Sequence, residues 1–550
     1  MQPLSTNDTV HAAAPKVLDA VIVGAGFAGL YMLHRLRGLG LSARIFEAGH
    51  GVGGTWFWNR YPGARCDVES VEYSYSFSEE LEREWQWSER YAGQPEILRY
   101  LNYVADRFDL RRNIQFDTRV TSAVFEEASA VWTVCTDRGS PVSARFCVMA
   151  TGCLSVPKAT EYNGIDDFRG KCYSTATWPD HIVDFTGQTV GVIGTGSSGI
   201  QLIPIIAGEA AHLYVFQRTP AFAVPARNDR LAPSAIDDRK MNGTAYREQA
   251  RNSVFGILSV DITDRSAIDT PPVELTRAYE ERWARGGFSF LGAFGDLLVN
   301  KQANETAAEF VRAKIHETVR DPGVAEKLTP KEYPIGAKRM CLDTNYYATF
   351  NRENVTLVDV AETPIETITP SGIRTSDREY ALDRIVFATG FDAMTGALSR
   401  IDIRGRNGLS LKEKWAAGPR AYLGLMISGF PNLFTITGPG SPSVLSNMVL
   451  SIEQHVDWIA DCIGYIGSRT AGTIEAMLDA ETEWVDHVEE VASQTIFPLA
   501  NSWYVGANVP GKPRMFMPYI GGVGAYRDKC RQVAVDGYEG FIISVGDFAG

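Results

Sequence analysis

Two stretches of this chain set out apolar and polar positions in the same order. Leu18 to Val23 is a short, mainly apolar run of strand length. Beyond a glycine-rich turn, Leu30, Leu33, Leu36 and Leu39 recur at helical spacing, and Ala43 to Phe46 forms a second apolar run. This predicts a strand–helix–strand unit with its helix over Gly29 to Leu39. Val190 to Ile193, a helix-like segment after Gly199, and His212 to Phe216 repeat the layout 170 residues later. Apolar runs of this kind belong to strands buried on both faces, as in a parallel sheet. A second repeat accompanies the first: Phe146 to Met149 ends in Ala150-Thr151-Gly152, and Ile385 to Phe387 ends in Ala388-Thr389-Gly390. Between 229 and 331 the chain is rich in Ala, Arg and Glu, has no glycine-rich turn, and reads as helical, with Thr306 to Val319 a good amphipathic example.

The turns carry chemistry. The first reads Gly24-Ala25-Gly26-Phe27-Ala28-Gly29 and the second Gly194-Thr195-Gly196-Ser197-Ser198-Gly199. Glycines permit a tight turn and close backbone approach, and the helix that follows offers N–H donors and a positive dipole end to a pyrophosphate. Glu47 closes the first unit 21 residues after Gly26, where a carboxylate accepts the ribose hydroxyls of an adenosine. The second unit closes with Gln217-Arg218-Thr219 and no acid. Arg218 can pair with a 2′-phosphate, so the second nucleotide is expected to be NADPH. Two dinucleotides on one polypeptide imply electron transfer between them, hence a flavin- and nicotinamide-dependent oxidoreductase.

The expected fold class is α/β, with two Rossmann-like dinucleotide-binding domains, for FAD and NADPH, and a helical insert. The FAD domain is expected over 1–152 and 390–550, the latter with substrate-pocket loops. The NADPH domain is expected over 153–228 and 332–389, with the insert over 229–331. The 550 residues are too many for one core. A net charge of −13 argues against a general nucleic-acid or anionic-membrane surface. No apolar run reaches the ~18 residues of a membrane span, and Met1 to Lys16 reads as a disordered lead-in rather than a secretory signal. The eight cysteines form no C-x-x-C pair and no zinc-spaced cluster, which predicts reduced thiols in core space, no metal, and a cytoplasmic setting.

After the first unit comes a loop dense in aromatics, Gly and Pro: Gly53-Gly54-Thr55-Trp56-Phe57-Trp58-Asn59-Arg60-Tyr61-Pro62-Gly63-Ala64-Arg65-Cys66-Asp67. Flat rings there can wall a flavin from water. This loop resembles the signature of Baeyer–Villiger monooxygenases, flavoproteins that insert oxygen beside a ketone. A second fingerprint of that family, F-x-G-x-x-x-H-x-x-x-W-P, is matched by Phe168 to Pro179 at every fixed position but one, where Ser174 replaces histidine. Thr437 to Ser443 and Ser502 to Pro513 are similar to the phenylacetone and steroid monooxygenase branch.

The resemblance implies roles residue by residue. Arg339 would stand over the flavin, fixed by Asp67, and hold an anionic C4a-peroxyflavin that attacks the ketone; a guanidinium keeps its charge in a dry pocket where lysine need not. FAD contacts would include Thr55, Trp56, Phe57, Trp58, Asp67, Tyr73, Val120 and Met448 beside Gly24, Gly26, Ala28, Gly29 and Glu47. NADPH contacts would include Arg65, Cys66, Asp67, Thr195, Gly196, Ser197, Ser198, Gly199, Gln201, Arg218, Thr219, Lys338, Arg339 and Trp503. Ser441, Val444 and Leu445 would border the pocket for a hydrophobic ketone. Ser174 would alter NADPH affinity or coupling. The expected reaction is conversion of a ketone and O₂ to an ester or lactone by a monomer without an obligate protein partner. An N- or S-oxygenating flavin monooxygenase is the alternative; a dithiol reductase lacks its cysteine pair, and a flavin sensor would need partner-binding extensions.

Overall fold

The computed structural model describes residues 17–158, 161–231, 243–467 and 471–545. The expected lead-in, Met1 to Lys16, lies outside them. Strand β1 (Leu18–Val23) leads through the first glycine turn into helix α1 (Phe27–Gly38) and then β2 (Ala43–Phe46). The helix begins two residues before the predicted start because Gly26, in extended conformation, already serves as its N-cap. β1 lies parallel between β2 and β6 (Val142–Met149), with Ile22 level with both Ile45 and Val148. β3 (Ile114–Gln115) extends one side of this sheet, and β4 (Val120–Glu126) and β5 (Val131–Thr136) extend the other. Two late strands complete it: β17 (Asp402–Arg404) pairs with β4, and β18 (Leu433–Thr435) pairs with β6.

The second sheet is built from β7 (Lys171–Ser174), β8 (Thr189–Ile193), β9 (His212–Gln217), β12 (Val355–Asp359) and β16 (Arg384–Phe387). All five are parallel, in the order β12-β9-β8-β16-β7. Helix α2 (Ser197–Glu209) follows β8 as α1 follows β1. The chain thus leaves the first sheet, builds the second, and returns. Smaller pieces are the parallel pair β10 (Ala223–Pro225) and β11 (Cys341–Asp343), an antiparallel trio of β13 (Ile365–Thr369), β14 (Gly372–Thr375) and β15 (Glu379–Ala381), and a ribbon of β19 (Ala471–Ala476) and β20 (Phe541–Val545).

Between β10 and β11 every element among the described residues is a helix: α3 (Gly243–Arg251), α4 (Pro272–Arg285) and α5 (Lys301–Thr318), with shorter helices beside them. α5 starts five residues before the predicted Thr306 because the Asn300 carboxamide oxygen accepts from the Gln302 and Ala303 N–H groups. Its buried face is Ala303, Ala307, Ala308, Val311 and Ile315. Helix α6 (Met448–Gly467) packs on α1 in the larger core. No helix among the described residues is long and apolar enough to cross a membrane. All eight cysteines are unbridged; six are buried, with Cys66 and Cys153 both in the larger core and at a cavity wall, whereas Cys172 is exposed.

Candidate active site

Both glycine turns are built against an Ala-Thr-Gly strand end. Gly24 has φ +104°, and a Cβ there would come within 2.6 Å of the Ala150 carbonyl oxygen. Gly194 has φ +108°, and its Cβ would come within 2.5 Å of the Ala388 carbonyl oxygen. The repeat therefore has a steric reason: each alanine peptide presses on a turn that only glycine can complete. Gly29 and Gly199 pack on the carbonyls of Gly24 and Gly194, below the turns. Neither α1 nor α2 has a side-chain cap at its N-terminus. Both N-termini open into one cavity of about 1190 Å³.

That cavity collects most of the predicted site. Gly24, Gly26, Ala28, Glu47, Thr55, Trp56, Trp58, Tyr73, Val120 and Met448 line one part, and Thr195, Gly196, Ser197, Ser198, Gln201, Arg218 and Thr219 another. Arg65, Cys66, Asp67, Arg339, Val444 and Trp503 line it as well. A Cβ on Gly196 would meet no protein atom within 4 Å, so the turn leaves room for a ligand. Glu47 is buried, and its carboxylate accepts from the Ala25 and Gly49 N–H groups, both at 2.7 Å. Burial raises its pKa, and those two N–H donors oppose the rise. The donor set fits two dinucleotides: two uncapped helix ends for pyrophosphates, a carboxylate beside one and an arginine beside the other.

Seven predicted residues stand back from the cavity. Besides Gly29 and Gly199, Phe57 is turned into a cluster with His50 and Trp58, under the Arg60 guanidinium. Lys338 places its ammonium 4.4 Å from the Tyr333 ring centre. Ser441 is fully buried and donates to the Gly438 carbonyl at 2.7 Å, so it shapes a loop rather than facing the cavity. Leu445 is half-buried against the larger core. Ser174 ends β7, where its hydroxyl accepts from the Ala176 N–H at 3.3 Å.

Arg339 is held on three sides. Its Nε and Nη2 donate to the two Asp67 carboxylate oxygens at 2.9 and 2.6 Å, and Nη1 donates to the Val444 carbonyl at 2.5 Å. The Phe288 ring lies under the guanidinium, 4.9 Å from Cζ. Burial alone would lower its pKa; the Asp67 carboxylate and Tyr504 overturn that and hold the cation above its ordinary value. Burial pushes the Tyr504 phenol up to about 12, against the pull of Arg339.

The fingerprint loop is clasped to the second unit. The Gln201 side chain on α2 accepts from the Tyr61 hydroxyl at 2.8 Å and donates to the Arg65 carbonyl at 3.0 Å. Gly63, at φ +82°, lies so close to the Gln201 backbone that a Cβ would not fit. Trp56 donates its indole N–H to the Tyr73 hydroxyl at 3.2 Å. The Arg65 guanidinium is engaged by Glu89 and the Tyr91 carbonyl, both at 2.8 Å. Sequence reasoning gave no role to Phe288, Tyr504 or Lys158, which also lines the cavity. Phe288 follows the Gly286-Gly287 pair, whose φ values of +73° and +69° mark a sharp turn; that double glycine was the available signal.

Comparison with known proteins decides the family. A Baeyer–Villiger monooxygenase of Pseudooceanicola batsensis is 44% identical over 95% of this chain and 96% of its own length. The chain belongs to the Baeyer–Villiger monooxygenase family. It is an enzyme, an oxidoreductase of the monooxygenase type. Phenazine N-monooxygenase PhzNO1 of Lysobacter antibioticus is 41% identical over 98% of each chain. The solved structure of an oxidized steroid monooxygenase bound to NADP is 54% identical, with a TM-score of 0.93 over 96% of this chain and all of that one. An OTEMO complex with FAD and NADP is 41% identical, with a TM-score of 0.93 over the same shares. The family model for pyridine nucleotide-disulphide oxidoreductases matches residues 21–234, a span that includes both glycine turns.

Proposed function

We propose that this monooxygenase uses FAD, NADPH and O₂ to convert a hydrophobic ketone into an ester or lactone. One oxygen atom enters a carbon–carbon bond beside the carbonyl; the other leaves as water as NADPH becomes NADP⁺. The observation that carries the reading is the bidentate Asp67–Arg339 pair opening onto the cavity that both glycine turns share. Residues 1–152 and 390–550 form the FAD domain, 153–228 and 332–389 the NADPH domain, and 229–331 the insert. The α1 N-terminus and Glu47 would hold FAD by its pyrophosphate and ribose, and the α2 N-terminus and Arg218 would hold NADPH by its pyrophosphate and 2′-phosphate. The NADP- and FAD-bound relatives support both assignments.

A bound flavin, with NADPH as the source of hydride, would supply the reactive oxygen from O₂. The chain supplies the rest. Arg339 places a permanent positive charge where negative charge grows as the carbonyl carbon is attacked. Asp67 and Val444 leave the guanidinium one orientation, so little reorganisation accompanies the reaction. Trp56, Trp58 and Trp503 line the cavity with rings that exclude water.

The test is product analysis over a panel of ketones with NADPH and oxygen consumption followed together. Ketone-dependent ester formation is expected, and Arg339→Ala should lower it by about 10²–10³-fold, with NADPH consumption diverted to peroxide. Full-speed ester formation without Arg339 would overturn the reading. N-oxygenation is a second reading, favoured by the likeness to a phenazine N-monooxygenase. An aromatic N-oxide as the main product, with no ester from any ketone, would select it.

A further inference from the structure

Three cations gather beside the second unit, two of them at the wall of the shared cavity. Arg218 follows β9 and Lys158 lies on the segment between Gly152 and β7; both line the cavity. Lys338 precedes the catalytic arginine and sits over Tyr333. None of the three has an ion-pair partner among the described residues. Such a cluster is unusual in a chain with a net charge of −13, and it repels itself until an anion arrives.

The position of Lys158 is fixed by backbone. Its N–H donates to the Gly390 carbonyl at 3.0 Å, and Pro157 bridges Phe391. It is therefore tied to the second Ala-Thr-Gly turn, at the end of β16. In the sheet, β16 and β9 are the two neighbours of β8. Lys158 and Arg218 thus approach one ligand site from either side of the strand that carries the glycine turn. Phe216, Tyr162, Val360 and Pro364 line the cavity there, an apolar bed suited to a purine. Burial and then the Arg218 charge pull the Lys158 amine below its ordinary pKa; the same two causes lower Lys338, with the Glu332 carboxylate opposing them in part.

We infer that Lys158 is a specificity-determining residue for NADPH: a third cation, delivered by the segment entering the second sheet, that joins Arg218 and Lys338 around the 2′-phosphate. This rests on the NADPH assignment above and extends it to a residue outside the glycine-turn unit.

The experiment titrates the FAD-loaded protein calorimetrically with two probes, 2′,5′-ADP and 5′-AMP, in the native chain, Lys158→Met and Lys158→Arg. The native chain should prefer 2′,5′-ADP. Lys158→Met should weaken 2′,5′-ADP about tenfold and shallow its salt dependence by about one charge, leave 5′-AMP within about twofold, and Lys158→Arg should restore most of the loss. Unchanged 2′,5′-ADP binding in Lys158→Met would overturn the inference, as would an equal loss for both probes. A native chain indifferent to the 2′-phosphate would instead overturn the NADPH assignment itself.

Discussion

Around Gly24 and around Gly194 the backbone does the same thing. A buried strand runs into a turn at φ just above +100°, an alanine carbonyl from a neighbouring strand end presses on it, and an uncapped helix starts beyond it. The two units part company at the next strand end, where one presents the buried Glu47 and the other the exposed Arg218. Their surroundings differ too. α1 is backed by α6, whereas α2 is clasped through Gln201 to the fingerprint loop. Under the proposed assignment the shared part holds a pyrophosphate, and the side chains that differ select which dinucleotide each turn holds.

The strongest way to break this comparison is to add one methyl group to each turn. Gly24→Ala and Gly194→Ala each force a Cβ against a carbonyl at an unfavourable φ, at a cost of about 2–5 kcal/mol. Gly24→Ala should shed FAD, and Gly194→Ala should keep FAD but lose NADPH binding, as read by flavin fluorescence and nucleotide titration. The opposite pairing of losses would show the assignment to be reversed. Next come the strand ends. Arg218→Ala should weaken NADPH by about 10–100-fold and spare FAD, while Glu47→Gln should loosen FAD and spare NADPH.

Single buried groups offer a gentler, pH-dependent test. His455, on α6, is wholly buried; its Nδ1 accepts from the Thr437 N–H at 3.1 Å, and burial lowers its pKa to about 3. The unfolded chain takes up this proton below about pH 6.5 and the native one does not, so stability falls with pH, by about 1–2 kcal/mol at pH 5. Asp343, in β11 beside the second unit, is raised by burial to about 6. It binds a proton in the native state first, so acidification between about pH 6 and 4 favours the native fold there. His455→Asn, which keeps an acceptor for Thr437, should therefore lessen the loss of stability between about pH 6.5 and 5, as read by thermal melts across that range. The smallest expected effect belongs to Ser174→His. Its strand pairs Phe387 at the rim of the second unit, and NADPH affinity or peroxide leakage should change by only a few-fold.

Much of the first comparison was legible in the sequence because it is local. A strand, a glycine turn and a helix lie within about thirty residues, and apolar spacing reports them directly. The Ala-Thr-Gly repeat was visible as well, but not what it presses on, since Ala150 and Gly24 are joined only by the sheet. The Asp67–Arg339 pair spans 272 positions and came from family resemblance, not from any periodicity. Ser441 and Leu445 were placed at the pocket by the same resemblance, yet a serine hydroxyl can satisfy its own loop, and Ser441 does so. Phe288 escaped notice because a single ring after a double glycine has no period to betray it. Lys158 escaped for a different reason: its setting depends on a backbone bond to Gly390, made by folding rather than by spacing.

Asp67, Val444 and Arg339 reach one another from before, after and within the span that builds the second sheet. A gene cut anywhere between positions 67 and 339 would leave neither fragment with the trio, even where, between the two turns, it left each fragment with one of them. With Arg339 in its proposed role, reactivity would be a property of the join between the two units rather than of either one.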